Sequence, residues 1–409
     1  MIYSFSKVSF LRTTNRPERK EAYMKDTKIT DSILYIGADD HDLDLFESQY
    51  VIPNGISYNS YVILDEKVTV MDTIDARKAE EWLANLESAL SGRSVDYLVV
   101  SHMEPDHAAS IQILMERYPE MTLVGNAKTF AMISQFFEVD LTGRTHVVAE
   151  GDILVIGTHA LQFFMAPMVH WPEVMVTYEQ SEKVLFSADG FGKFGALDVE
   201  EDWTCEARRY YFNIVGKYGM QVQTLLKKAA ALDIAMICPL HGPILKENLG
   251  YYIGKYDIWS RYEPEDEGVL IAYASIHGNT AKAAKELVEM LRVKGAKRVV
   301  IADLSRDDMA KVVENAFRYD RMVVASATYD GGLFPCMEDF LMHLKAKGYQ
   351  KRKVALMENG SWAPQAARKM KEIFESMKSI SIVEPVVTIR STMKVDTICK
   401  MEELAENLI

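Results

Sequence analysis

The sequence is poor in cysteine. Only Cys205, Cys238, Cys336 and Cys399 occur in 409 residues, and none lies two or three residues from another. That spacing excludes a disulfide framework and a CxxC zinc or iron–sulfur site. A reducing cytoplasm is the expected setting. Long apolar runs are also missing: nothing approaches the ~18 uninterrupted residues of a membrane-spanning helix. Basic residues are outnumbered, 46 against 59, so the net charge is −13. A nucleic-acid binder needs a basic face, and this chain has no surplus from which to build one. No internal repeat or low-complexity tract stands out. What remains is ordinary globular material, 48% apolar and 26% charged, long enough for two or three domains at roughly 100–200 residues each.

Residues 1–24 read as a dispensable extension. Met1 to Tyr23 carries Lys7, Arg12, Arg16, Arg19 and Lys20 against Glu18 and Glu21, and Val8–Leu11 is too short for the apolar core of a secretory signal. Met24 resembles an ordinary protein start. A break is expected at Glu263-Pro264-Glu265-Asp266-Glu267, a short acidic run ahead of an apolar strand. The domains are therefore expected at 25–262 and 268–409, with a linker at 263–267. From Gly268 onward there are 22 basic and 18 acidic residues, net +4; the remainder has 24 and 41, net −17. Such asymmetry marks two functional surfaces.

Both halves predict α/β folds. In the first, strands are expected within 58–70, at 97–100, 122–125, 160–165, 174–178, 184–187 and 234–238, with a helix over 76–90. Several neighbours look like hairpins, which implies mixed sheets packed between helices. The second half alternates strictly: strands at 269–273, 298–302, 321–325, 353–357 and 382–387, with helices at 280–294, 307–316, 336–347 and 363–378. That is a doubly wound parallel sheet of five strands.

Loops leaving strand ends are where such folds place their chemistry. The strand at 97–100 runs into Ser101-His102-Met103-Glu104-Pro105-Asp106-His107, four ligand-type side chains around a turn-forming proline. His170, Asp189 and His241 each follow a later apolar strand by two to five residues. The same placement thus occurs four times. Four imidazoles and three carboxylates without a thiolate are too many for one tetrahedral zinc. They suit two metals bridged by a carboxylate such as Asp189, and mixed nitrogen and oxygen ligation favours iron or manganese. His41, His146, His159 and His343 carry no comparable pattern.

In the second half, the strand at 269–273 runs into Ser275-Ile276-His277-Gly278-Asn279-Thr280 and then a helix. Small and hydroxyl residues at such a turn offer backbone N–H groups and a helix N-terminus to an anion. This turn has neither the GxGxxG nor the GxxxxGKS/T spacing, which argues against dinucleotides and nucleoside triphosphates. Two more loops leave the same sheet edge, with Thr328-Tyr329-Asp330-Gly331 and Asn359-Gly360-Ser361-Trp362. One phosphate loop and two loops with flat side chains describe a site for a mononucleotide with a planar ring system.

The pattern His102-x-Glu104-x-Asp106-His107, with His170, Asp189 and His241, resembles the flavodiiron proteins (A-type flavoproteins). The resemblance covers about residues 25–405. It implies an αββα metallo-β-lactamase-like domain with a non-haem diiron centre, followed by a flavodoxin-like domain that binds FMN. It implies that His102, Glu104 and His170 bind one iron, that Asp106, His107 and His241 bind the other, and that Asp189 bridges. Hydrolases of the same fold have His where Glu104 stands, and the Glu points to a redox-competent iron pair. The implied activity is four-electron reduction of O2 to water or two-electron reduction of NO to N2O. Longer relatives append a rubredoxin domain. The cysteine count leaves no room for one here, so an external carrier such as rubredoxin is expected. Flavin and iron loops on side-by-side domains would lie ~30–40 Å apart, the sum of the domain radii. Electron transfer then calls for a head-to-tail homodimer, possibly paired into a tetramer. The competing expectation is a dinuclear metal hydrolase fused to a flavodoxin-like electron-transfer domain.

Overall fold

The computed structural model describes residues 27–409, so the expected extension 1–24 lies outside the described residues. The first half builds two sheets. One contains, in spatial order, Ile33–Tyr35, Tyr61–Ile63, Thr69–Met71, Tyr97–Val99, Thr122–Gly125 and Thr145–Val147. The other contains Ile153–Val155, Ala160–Met165, Met175–Glu179, Val184–Phe186 and Met236–Cys238.

Side-chain alternation along each strand explains why the sheets stack. Tyr61, Met71, Val99 and Val124 face Phe163, Met175, Val184 and Phe186 in a buried layer between the sheets. Their neighbours Val62, Val70, Leu98 and Leu123 point the other way, into the cluster that also holds Trp82, Leu86 and Leu90. Those three lie on one stripe of helix Ala79–Leu90. Helix Gly219–Ala229 covers the outer face of the second sheet, where Leu225 and Leu226 meet Val176 and Leu185. The order is helix, sheet, sheet, helix, as expected.

The second half is a parallel sheet in the order Val299–Asp303, Asp266–Ala274, Tyr319–Tyr329, Arg352–Asn359, Ile380–Ile389. In chain order this is 2-1-3-4-5, the flavodoxin-like winding, whose ligands bind where the strand order reverses. Helices Asn279–Val293 and Val395–Leu408 cover one face. Met309–Arg318, Pro335–Ala346 and Ala366–Glu375 cover the other. The four expected helices are present, and Val395–Leu408 is a fifth that the strand–helix alternation does not anticipate. Among the described residues, no helix is long and apolar enough to cross a membrane.

The acidic run at 263–267 is not a loose tether. Helix Leu249–Ser260 ends just before it, and strand Asp266–Ala274 begins inside it. Glu265 accepts from Arg208 Nε and Nη2 at 2.6 and 2.8 Å, from Lys255 at 2.8 Å and from Trp259 Nε1 at 2.7 Å. Arg208, 1% exposed, also pairs with Glu314 of the second half. Beside this group Phe212 stacks on Phe317 at 4.3 Å, and one apolar cluster runs through both halves.

Buried charges are costly to orphan, because the remaining partner keeps its desolvation penalty. Glu265→Ala should therefore lower the stability of the whole chain by about 3–5 kcal/mol in urea unfolding at neutral pH. Burial raises the Glu265 carboxyl pKa, but Arg208 and Lys255 outweigh burial and hold it below the usual range. The stabilisation is thus complete above the ordinary carboxylate pKa and is lost as pH falls towards the depressed one. The gap between variant and native protein should shrink on acidification; a constant gap would show that the charge is not what matters.

Candidate metal centre

The first ligand loop is fixed by a buried acid. Asp72 has φ +56° and follows strand Thr69–Met71; its Oδ1 accepts from Ser101 N at 2.6 Å and His102 N at 3.4 Å. Pro105 then opens the short helix Pro105–Ala108, which carries Asp106 and His107 inward. Thr73 holds that helix by donating from N and Oγ1 to the His107 carbonyl at 3.0 and 2.7 Å.

All seven expected ligand residues come together, in two groups. His102, Glu104, His170 and Asp189 form one, and Asp106, His107 and His241 the other; within each group the ligand atoms lie within 4.8 Å of one another. Asp189 reaches both. Its Oδ2 lies 3.3 Å from His102 Nε2 and 3.2 Å from His170 Nε2, and its Oδ1 lies 3.2 Å from His107 Nε2 and 3.9 Å from His241 Nε2.

The donor set fits a pair of cations. Both oxygens of Asp106 and of Asp189, both ring nitrogens of His107 and Nε2 of His241 are buried without a hydrogen-bond partner. Orphaned groups of this kind are rare in a folded protein unless something else satisfies them. Burial disfavours charge on His102, yet Asp189, Glu104 and Glu173 outweigh it and hold its pKa well above the ordinary value. By the same balance His170 is raised to about 9. Carboxylates this dense call for positive charge, and metal ions supply it with the imidazoles neutral.

Two ligands are oriented from behind. His241 Nδ1 lies 2.6 Å from the Ser57 carbonyl, which can only accept, so Nδ1 carries the proton and Nε2 is free for metal. His102 Nδ1 lies 2.8 Å from Glu173 Oε1, which also accepts from Met103 N. Such outer partners set ring orientation and basicity. Glu173 and Asp72 are the functional residues that the sequence reading misses. Glu173 stands three residues past His170, which is the one hint available.

Aromatic rings wall the centre: Phe46, Tyr58 and Tyr210 lie 5.4–6.1 Å from His241, and Trp171 lies 5.2 Å from His102. Two clefts reach it. One of about 210 Å³ ends at Glu104 and Asp106, with Tyr58 and Arg77 on its walls. One of about 360 Å³ ends at His170, with Lys217 and Lys347 on its walls. Elsewhere His41 pairs with Asp198 at 2.9 Å, and His159 with Asp65 at 2.6 Å.

At the edge of the parallel sheet lies a pocket of about 550 Å³. Every residue expected there lines it except Gly278, which instead shapes the turn: φ is +86°, and its N–H donates to Ser275 Oγ at 3.1 Å. Gln365 and Ser391 also line it. Ser391 follows the fifth strand, so the strand-end rule that located the other loops applies to it as well.

Two family models match in tandem: ODP family beta lactamase over residues 56–242 and flavodoxin over 271–405. The rubredoxin-oxygen oxidoreductase of Megalodesulfovibrio gigas is 29% identical, over 87% of this chain and 90% of its own. The nitric oxide reductase of Moorella thermoacetica is 28% identical, over 93% of this chain and 97% of its own. The solved rubredoxin oxygen:oxidoreductase from Desulfovibrio gigas superposes with a TM-score of 0.87 at 26% identity, over 93% of this chain and 97% of that one. Fold and site together define a metalloflavoprotein with a β-lactamase-like metal domain and a flavodoxin domain. The chain belongs to the flavodiiron proteins, an oxidoreductase family whose cofactors are FMN and a diiron centre.

Asp189→Ala should reduce bound iron to well below two per chain while FMN stays bound. Glu173→Gln should keep both groups of ligands but weaken iron retention by about 10–100-fold. Elemental analysis after dialysis against a graded chelator measures both; two irons retained in Asp189→Ala would defeat the bridging role.

Proposed function

We propose that this chain reduces O2 to water, NO to N2O, or both, with electrons passed through FMN from an external carrier. One observation supports this most directly: the buried Asp189 carboxylate turns one oxygen to each of two ligand groups, and Glu104 stands where a hydrolase of the fold would have histidine. His102, Glu104 and His170 hold one iron, Asp106, His107 and His241 the other, with Asp189 between. When bound, the reduced iron pair offers open positions to a diatomic molecule and the electrons to reduce it. The chain supplies the rest. Glu104, whose Oε2 lies 2.9 Å from His170 Nε2, would add an oxygen ligand that stabilises the oxidised state. Phe46, Tyr58, Tyr210 and Trp171 keep bulk water off the ligands. The cleft ending at Glu104 and Asp106 is the route for protons and water.

The metal site is assigned to 25–262, the junction to 263–267 and the flavin site to 268–409, which the matches at 56–242 and 271–405 support. Ser275–Thr280 holds the FMN phosphate, and Tyr329 and Trp362 flank the ring. The names of the relatives favour a rubredoxin-type donor. The four scattered cysteines, all unpaired, favour the same donor and a cytoplasmic setting, where fractionation should recover the protein.

The deciding experiment reduces the iron- and FMN-replete protein anaerobically with reduced rubredoxin, then supplies each gas in turn. Turnover with O2 or NO is expected; zinc in place of iron, or no turnover with either gas, favours the hydrolase reading.

A head-to-tail homodimer would bring the flavin of one copy to the iron pair of the other. The cleft ending at His170 opens at the surface and takes walls from both halves, which suits such an approach. Chains lacking FMN binding, mixed with chains lacking iron ligands, should recover about half the activity per mixed dimer, since two-fold symmetry leaves one intact pair. Mixed dimers without activity would place electron transfer within one chain.

A further inference from the structure

Resting on the gas-reducing reading, we propose a second binding site, one that holds a diatomic gas without a metal. It is the cavity of about 20 Å³ between the second sheet and the helix over it. Phe164, Val176 and Leu185 rise into it from three neighbouring strands; Leu225 and Leu226 come down from helix Gly219–Ala229, and Leu232 closes the end.

The space is large enough for a small molecule and wrong for water. A water needs two to four polar partners. Here the partners are committed elsewhere. Lys228 lines the cavity with its stem only, because its ammonium donates to Glu150 at 2.9 Å and to the Met165 carbonyl at 2.8 Å. Ser187 Oγ donates to the Gly190 carbonyl at 2.6 Å. An apolar space that offers water no partner leaves its lining short of dispersion contacts. O2 and NO are uncharged and nearly apolar, so they leave water for such a place.

Its position gives the cavity a use. Ser187 and Phe191, both on its wall, stand two residues before and two after Asp189. The turn between them is closed by Gly190 N donating to the Ser187 carbonyl at 3.0 Å and Gly192 N to the Asp189 carbonyl at 3.1 Å. The cavity therefore ends against the turn that carries the carboxylate between the two ligand groups. A gas molecule held there is stored beside the place where it reacts, against Phe191, which packs on Tyr256 at 4.3 Å.

Krypton tests the site directly. Crystals of the full chain with iron and FMN, pressurised with krypton, should show an anomalous peak between Leu185 and Leu226; an empty cavity in the native protein overturns the proposal. Ala229→Leu and Val176→Phe fill the space from opposite walls, at an overpacking cost of about 1–3 kcal/mol. Each should abolish the krypton peak and raise KM for the gas several-fold, with kcat, iron and FMN content unchanged. An unchanged KM in a variant that has lost krypton overturns the delivery role. If one variant does not fold, the other and the native krypton measurement still decide. Krypton bound in a native protein that turns over neither gas supports the cavity and defeats the gas-reducing reading instead.

Discussion

The structure depends on one electrostatic constraint: three carboxylates and four imidazoles gathered in a space nearly closed to water. Asp189 is fully buried, and its pKa is driven well below the ordinary value despite that burial, because His102, His107 and His170 surround it. Such a cluster cannot be left half-neutralised. Its ligands come from four loops at the ends of strands in two different sheets, so the sandwich must close correctly before any of them meet. Cations then stabilise the assembled state and not its parts. The buried layer between the sheets, from Tyr61 to Phe186, keeps those four loop bases in register.

The periodicities made most of this legible. Apolar runs bounded by turns located the strands, and ligand-type residues just past their ends pointed to the two groups that meet at Asp189 and to three loops of the pocket at the parallel sheet's edge. What stayed hidden acts through space. Nothing local marks Ser57, whose carbonyl orients His241; Asp72 does follow a strand, but nothing local shows that its acceptor is aimed at Ser101 and His102. Glu173 is near His170 in sequence but serves His102. Helix Val395–Leu408 was a different omission. Met401, Leu404, Ala405 and Leu408 lie on one buried stripe at helical spacing, but no strand follows to frame them.

The ligands are not equally secured. His102 and His241 each have a second hydrogen bond that fixes the ring, whereas His107 has none at either nitrogen. His107 is held instead by the carbonyl of its own residue, through Thr73. The pocket at the edge of the parallel sheet is built on a different logic. Its first loop, Ser275–Thr280, has a glycine with positive φ, and planar side chains stand at the rim, where Trp362 is 88% exposed. One site is buried at the foot of two clefts, and the other lies at the open edge of a sheet.

The ion cluster at the junction bears on how this chain could change over evolutionary time. Arg208 belongs to the metal half, Glu314 to the flavin half and Glu265 to the stretch between them, and the three side chains are each 5% exposed or less. Consider a recombination that exchanged the flavodoxin unit for another. Here an exchanged unit would have to bring an acid to the position of Glu314 and an aromatic ring to that of Phe317, or leave a guanidinium half-compensated in an apolar core. The two halves are thus locked as co-inherited partners, and drift in one is constrained by the charge of the other.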